Sequence, residues 1–433
     1  MIFIILGIYY CRMERIDYIL DFCKELGKQM IVSGANIERV NLTVEKICHA
    51  YGLHDVTCAN LTTRISISAK DENKNYAHRQ TDVPPQVFNL ERLKKLNRLS
   101  YYVQENKPDV TTLYDLLHEV KSNDFPWWMI MIGFMVAMAG LARIFGAHPT
   151  ELLIAELNTL ILFGFSKLYT KVHINKIITN FISMFICSTI AMLFYAAGFI
   201  ENFFIVIITN AFFLIPGIQM VNCARNLLCG NEMNGVIDLL KVLLEVCTIV
   251  AGVAAAYALF GGVVNYATIE AMPSRGPEPG QELLFNLELV VLTLMASAGF
   301  SIVFNIQLKD LVFAAIGGVI VRVVYILCKI ALHDYYFVIT VIAAFCAALY
   351  SEIFAIARKE PSTLYLYPSV VPLIPGDLFY YAGLGIVWGN VTYLQQYGPN
   401  LMLSLIGISL GFVICSTVVH YVRKIKFLRE KKD

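Results

Sequence analysis

Two Pro-Gly dipeptides sit in the middle of apolar stretches, as Leu-Ile-Pro-Gly at 214–217 and the same four residues at 373–376. Proline removes a backbone donor and clashes with the preceding turn, and glycine frees the backbone, so each dipeptide predicts a broken helix. Inside hydrocarbon a break is tolerated only against protein or a water-filled cavity. The helix restarting after Pro216-Gly217 or Pro375-Gly376 points its first N–H groups inward, which suits a carboxylate ligand. A packing kink is the bland alternative. Asp377 follows the second Pro-Gly and suits a first helical turn; it can bind an ammonium group, take up a coupling proton or simply cap. Arg322 lies at the centre of an apolar run, where an arginine costs roughly 2.5–3.5 kcal/mol. It must face a cavity, where it can hold a substrate carboxylate bidentately, or pair with Glu156, Glu288 or Glu352. Glu156 and Asn158 carry the same choice between substrate and structure. Asn210, Gln219, Asn222 and Asn226 flank the first break, either lining a path or hydrogen-bonding neighbouring helices. Asp238, Lys241 and Glu245 are spaced to pair along one helix face. No histidine clusters with carboxylates at metal spacing, and no cofactor or metal is expected.

These residues need elements to hold them, and composition says which. The chain has 433 residues, 57% hydrophobic and 15% charged, well below the roughly 25% charged residues of a soluble domain. Its apolar runs approach the length of about 20 residues that crosses a bilayer. Formal net charge is +1, which offers no field for nucleic acid. The pattern predicts a polytopic α-helical membrane protein carrying an α+β N-terminal domain at 13–124. In that domain helices are expected from Ile16 to Ile31 and Ile37 to Tyr51, with Gly34 and Gly52 ending them. Strands follow at 56–61, 64–69 and 76–81, then helices at 89–105 and 111–121. Met13 is read as the translation start, with MIFIILGIYY upstream of it or serving as a short interfacial anchor. The eleven cysteines read as free thiols. Asn390-Val391-Thr392 is a formal glycosylation sequon.

Ten spans are expected, five in 125–265 (near 127–146, 149–168, 174–199, 201–228 and 233–262) and five in 283–424 (near 283–305, 308–330, 334–357, 362–390 and 398–422). A polar linker at 266–282 separates them. Lys167, Lys171, Lys176, Arg225, Arg358, Lys359 and the basic tail from Arg423 fall on one side, with Lys329 and Arg275 as exceptions. The positive-inside rule then makes that side, with both termini, cytoplasmic.

The two halves share one register. An offset of 159 carries Pro216 onto Pro375, Ala139-Gly140 onto Ala298-Gly299, Cys187 onto Cys346, Gly252 onto Gly411 and Glu151 onto Asp310. With five spans per half, the second copy must enter from the opposite face. Two inverted copies around a midplane site are an architecture of secondary transporters.

The order of motifs resembles the threonine/serine exporter family. It comprises Ser-Gly-Ala at 33–35, Glu38, Ala-Tyr-Gly-Leu at 50–53, Leu93, Leu96 and Leu99 on one helix, and five spans with a Pro-Gly break. Val-Pro-Leu-Ile-Pro-Gly at 371–376 resembles that family's second membrane module, which occurs elsewhere as a separate chain of a two-component exporter with succinate as the implied substrate class. The resemblance implies a fused exporter of threonine, serine or a dicarboxylate, driven by the proton motive force. First-module members often show an Asn-x-x-Arg-Asp-like run; this chain reads Asn222 to Asn226 with Arg225 before Asn226, so the acid is missing there. The expected partners are a small amino acid or dicarboxylate and the lipid bilayer, and both a monomer and a homo-oligomer fit. The resemblance also places the chain in a bacterial cytoplasmic membrane. An enzymatic N-terminal domain lacks a nucleophile–base spacing; a channel or regulatory membrane protein is the other rival.

Overall fold

The computed structural model describes residues 15–121, 124–172, 174–228, 230–260, 280–333, 335–387 and 391–430; the side chains of 377, 379, 380, 384, 386, 387, 420 and 423–430 are outside that set. The expectations for Met13, the first ten residues, most of the linker and Asn390 therefore fall outside the described residues. The chain forms two units, one ending at Asp124 and one beginning at Phe125.

In the N-terminal unit, α1 (Arg15–Val32) and α2 (Ile37–Ala50) pack apolar faces together and onto an antiparallel sheet. The order is β1 (His54–Cys58), β2 (Arg64–Lys70), β3 (Tyr76–Asp82). Ile65 and Ile67 alternate with outward Ser66 and Ser68 because strand side chains point to opposite faces, and both isoleucines are buried. Gly34 and Gly52 have φ of +102° and +81°, the left-handed region that glycine enters without a Cβ penalty. The Asn36 side chain accepts from the Arg39 N–H at 2.7 Å and caps α2. Helix α3 (Leu90–Asn106) follows. The helix expected over 111–121 is shorter: a 3-10 turn at Val110–Thr112 leads into α4 (Leu113–His118). The expected strand at 56–61 instead spans His54–Cys58, since Leu61 turns back to bridge Arg64. The Sγ atoms of Cys23 and Cys48 lie 3.9 Å apart in this core. Contact with Cys48, reinforced by burial, pushes the Cys23 thiol well up, so it is a packed thiol rather than a nucleophile.

The second unit is a helical bundle. Among the described residues, eight continuous helices are long and apolar enough to cross a membrane. They are α5 (Trp127–Ile144), α6 (Pro149–Val172), α7 (Lys176–Ala196), α10 (Glu232–Phe260), α11 (Glu282–Val303), α12 (Leu308–Leu332), α13 (Tyr336–Arg358) and α16 (Val391–Glu430). A ninth crossing is available if the bent pair α8 (Phe203–Leu214) and α9 (Gly217–Leu228) counts as one span. The expected ninth span, 362–390, is divided into α14 (Thr363–Val370), a 3-10 turn at Val371–Leu373 and α15 (Gly376–Val387). Pro372 and Pro375 prevent one continuous helix there, while Pro368 is held inside α14.

Packing repeats at the same sequence offset. Helix α7 lies against α10 as α13 lies against α16, and α9 against α16 as α15 against α10. Where α5 crosses α11, a Cβ on Gly299 would meet Gly133 O and Ala137 N, each at 2.5 Å, and one on Gly140 would meet Leu292 O at 2.8 Å and Ala296 N at 3.0 Å. Leu292 and Ala296 stand 159 positions after Gly133 and Ala137, so the same backbone contact is made twice with the partners exchanged. Only glycine lets the two backbones approach so closely. Gly252 against Phe181 O at 2.5 Å and Gly411 against Val341 O at 2.6 Å repeat the device in the α10–α7 and α16–α13 pairs. The matched acids also tie equivalent corners. Buried Glu151 accepts from the backbone N–H groups of His148, Glu201 and Asn202 at 2.9–3.2 Å. Buried Asp310 instead takes Arg358 at 2.7 Å.

Candidate substrate site at the helix breaks

The residue before a proline is driven out of the helical region. Ile215 and Ile374 accordingly sit at φ −64°, ψ 126° and φ −64°, ψ 124°. Helices α8 and α9 meet at 60°. Gly217 N–H folds back to Ile215 O at 2.8 Å and Gly376 N–H to Ile374 O at 2.9 Å, so the two turns are the same local structure. They also touch. A Cβ on Gly217 would come within 2.9 Å of Ile374 Cδ1, and one on Gly376 would strike the Phe212 ring.

Beside the second break lies a cavity of about 240 Å³. Pro372, Leu373, Ile374 and Pro375 form one wall, Leu141, Ile144 and Phe145 of α5 another, and Phe212 lies between them. Its polar groups come from Arg322, Tyr325 and Tyr336. Arg322 Nε donates to Thr293 Oγ1 at 3.0 Å, and its guanidinium carbon lies 5.9 Å from the Tyr325 ring centre. Tyr325 and Tyr336 meet edge-on at 6.4 Å. The ion-pair reading of Arg322 is not realised among the described residues. Glu288 holds Arg143 of α5 at 3.0 Å, and both Glu156 carboxyl oxygens are buried with no hydrogen-bond partner. A guanidinium anchored at one edge and facing open volume leaves its remaining N–H donors for a planar oxyanion.

The other expected residues divide by depth. Pro216, Gly217, Pro375 and Gly376 are at the touching turns. Asn222 Nδ2 reaches Tyr367 Oη of α14 at 3.5 Å, and Gln219 stands one turn earlier on α9, half-buried. Asn226 donates to Asp238 Oδ2 of α10 at 3.3 Å; its neighbour Arg225 is half-buried, and neither residue lines the cavity. Asn210 serves packing: it accepts from Asn158 at 3.1 Å and donates to Ala155 O at 3.0 Å, joining α8 to α6. Asp377 is the second residue of α15, its side chain outside the described set. The expected Asp238–Lys241–Glu245 pairing is replaced: Glu245 holds Lys176 of α7 at 2.8 Å. A partner across the interface displaces one along the helix. Thr293, Tyr325, Tyr336 and Phe212 were not singled out in the sequence. Tyr325, one helical turn from Arg322, was the readable clue.

Two family models match the chain in tandem. The threonine/serine exporter model (ThrE) matches residues 21–260. A second model, threonine/serine exporter, ThrE (ThrE_2), matches residues 289–418. No curated protein and no solved structure matches.

Proposed function

The chain belongs to the threonine/serine exporter family, in a fused two-module form, and from that premise we propose that this multi-pass membrane protein is a secondary transporter for a small hydrophilic carboxylate, threonine or serine. The observation that carries the proposal is the cavity at the second break, where Arg322 faces open volume without a carboxylate partner among the described residues. Arg322 and the first N–H groups of α15 would hold the substrate carboxylate. Asp377, placed by sequence in the first turn of α15, is the carboxylate assigned to the amine. One such guanidinium suits one carboxylate, which favours an amino acid over succinate.

Alternating access is supported by the architecture. Helices α8 and α9 have 12 residues each, about 18 Å apiece, and at a 60° bend they advance about 31 Å end to end, near the roughly 30 Å hydrocarbon core. That length supports a broken span that crosses rather than returns. Counting the matching segment α14–α15 in the same way gives five crossings per half and hence inverted halves. Partner-exchanged contacts at the α5–α11 crossing are what a two-fold relation between the halves produces. The two touching turns then lie where the halves meet, and rocking one half against the other would expose the cavity to each side in turn. Loop charge supports cytoplasmic termini in a bacterial cytoplasmic membrane, with export driven by the proton gradient.

Counterflow in proteoliposomes tests the function. Vesicles preloaded with unlabelled threonine, serine or succinate are offered the labelled compound. Saturable exchange of threonine or serine is expected. Exchange of succinate alone would replace the amino-acid reading, and non-saturable flux would indicate a channel.

A further inference from the structure

We infer that Glu156 of α6 is the carboxyl that binds the coupling proton in the exchange proposed above, an inference that rests on that transporter reading. Two acids on α6 are treated in opposite ways. Glu151, in the first turn, is completely buried and receives three backbone N–H groups. Those donors satisfy both of its oxygens. Five residues on, both oxygens of Glu156 are buried and receive no hydrogen bond.

No cation compensates from the helices packed on α6, which are α5, α7 and α8. Arg143, the charged residue of α5, holds Glu288 at 3.0 Å. On α7, Lys176 holds Glu245 at 2.8 Å, Cys187 contacts Asn158 O at 4.0 Å, and Tyr195 stacks near Phe203. Helix α8 carries no titratable residue. A carboxylate with neither a donor nor a counter-ion is strongly disfavoured away from water. In this packing Glu156 therefore holds its proton, and release requires a rearrangement that brings water or a donor to it.

The placement ties that rearrangement to the cavity. Helical spacing puts Leu152, Glu156 and Phe163 on one stripe of α6. Leu152 packs in the cluster of Ala142 and Ala147, with Phe145 beside it, and Phe163 meets the Phe134 ring of α5 at 6.2 Å. Glu156 thus faces the helix that supplies Leu141, Ile144 and Phe145 to the cavity wall. When α5 adjusts around substrate, the surroundings of Glu156 change with it. The step is a simple protonation: an O–H bond forms on the carboxyl from the extracytoplasmic side and breaks toward the cytoplasm as substrate moves outward. The position 159 residues later is Ala315, so the second half offers no carboxyl matched to Glu156.

The test uses full-length protein in proteoliposomes and the variant Glu156→Gln. Counterflow is expected to stay within about two-fold of wild type, while accumulation driven by an imposed pH gradient falls about ten-fold or more. The pH dependence of counterflow seen in the wild-type protein should also be lost in the variant. Gradient-driven accumulation at the wild-type level in Glu156→Gln overturns the assignment. Loss of counterflow and gradient drive together, in protein that elutes and melts as wild type does, also overturns it and makes Glu156 a packing or substrate residue. Glu156→Asp, which keeps the acid, should retain gradient drive that Glu156→Gln lacks; equal loss in both overturns the proton role. Absence of counterflow in the wild-type protein would sink the transporter reading itself, a separate result from intact counterflow with unaltered coupling.

Discussion

The two helix breaks share a backbone and differ in what surrounds them. At the first, Phe134 meets Phe163 at 6.2 Å and Phe213 at 4.2 Å between ring centres, and the three rings fill the space between α5, α6 and the break. The positions 159 residues later are Thr293, Arg322 and Pro372. There the arginine reaches back to the threonine, the proline lines the wall, and about 240 Å³ stays open. One turn, used twice, borders a packed aromatic joint at the first break and, at the second, a cavity walled by both halves that takes its charge from Arg322. The same turn is thus bordered by packed rings at one break and by open volume at the other, and the side chains at three matched positions make the difference.

The largest expected effect breaks this comparison directly. Arg322→Ala should lower counterflow roughly 100-fold by removing the charge-assisted donor, whereas Phe163→Leu at the matched position should change it by no more than about two-fold. Equal losses in the two variants would mean that both breaks serve one mechanical purpose. Next come the contacts that do not differ between halves. Gly299→Ala and Gly140→Ala each force a methyl onto opposing backbone, and each should destabilise the protein by about 1–3 kcal/mol, read as a lowered melting temperature in detergent. Gly299→Ala should be the worse of the two because its contacts are shorter.

The glycines of the breaks should then separate the halves again. Gly376→Ala drives a methyl into the ring of Phe212, a cavity residue, and Gly217→Ala meets the aliphatic side chain of Ile374, Cδ1 at 2.9 Å and Cγ2 at 3.3 Å. Transport should fall about ten-fold in the first and about two- to three-fold in the second. A more local effect concerns Thr293→Val, which leaves the Arg322 guanidinium without its anchor. A loss of about 1 kcal/mol should appear as a KM raised about five-fold with kcat unchanged, a split that general loosening of the bundle would not give.

Much of the fold was legible because its signals are local. Proline and glycine chemistry placed both breaks to the residue, hydropathy placed the eight long helices, and Gly34 and Gly52 ended the first two helices where a positive φ is required. The third interruption was weaker as a signal: Pro368 lies inside α14 and is tolerated there, so the division of 362–390 came from Pro372 and Pro375 acting together. The site was only half legible. Arg322 stood out as a charge in an apolar run, but Thr293, Tyr325 and Tyr336 are ordinary in such runs, and Asn210, which looked equally polar, proved to be tied to α6.

By itself the sequence determined the membrane class, the position of the breaks and the 159-residue register, because each depends on the solvation and covalent geometry of a few consecutive residues. The tertiary structure decided which charges meet. Arg143 takes Glu288, Lys176 takes Glu245, Arg358 takes Asp310, and among the described residues Arg322 hydrogen-bonds only a threonine and the Glu156 carboxyl oxygens receive no hydrogen bond. Those choices follow from the rotation of each helix about its axis and the depth at which helices cross. Both are set by close glycine contacts such as Gly140 and Gly299 on segments more than 150 residues apart in the chain, where the spacing of residues along one helix carries no information about the other.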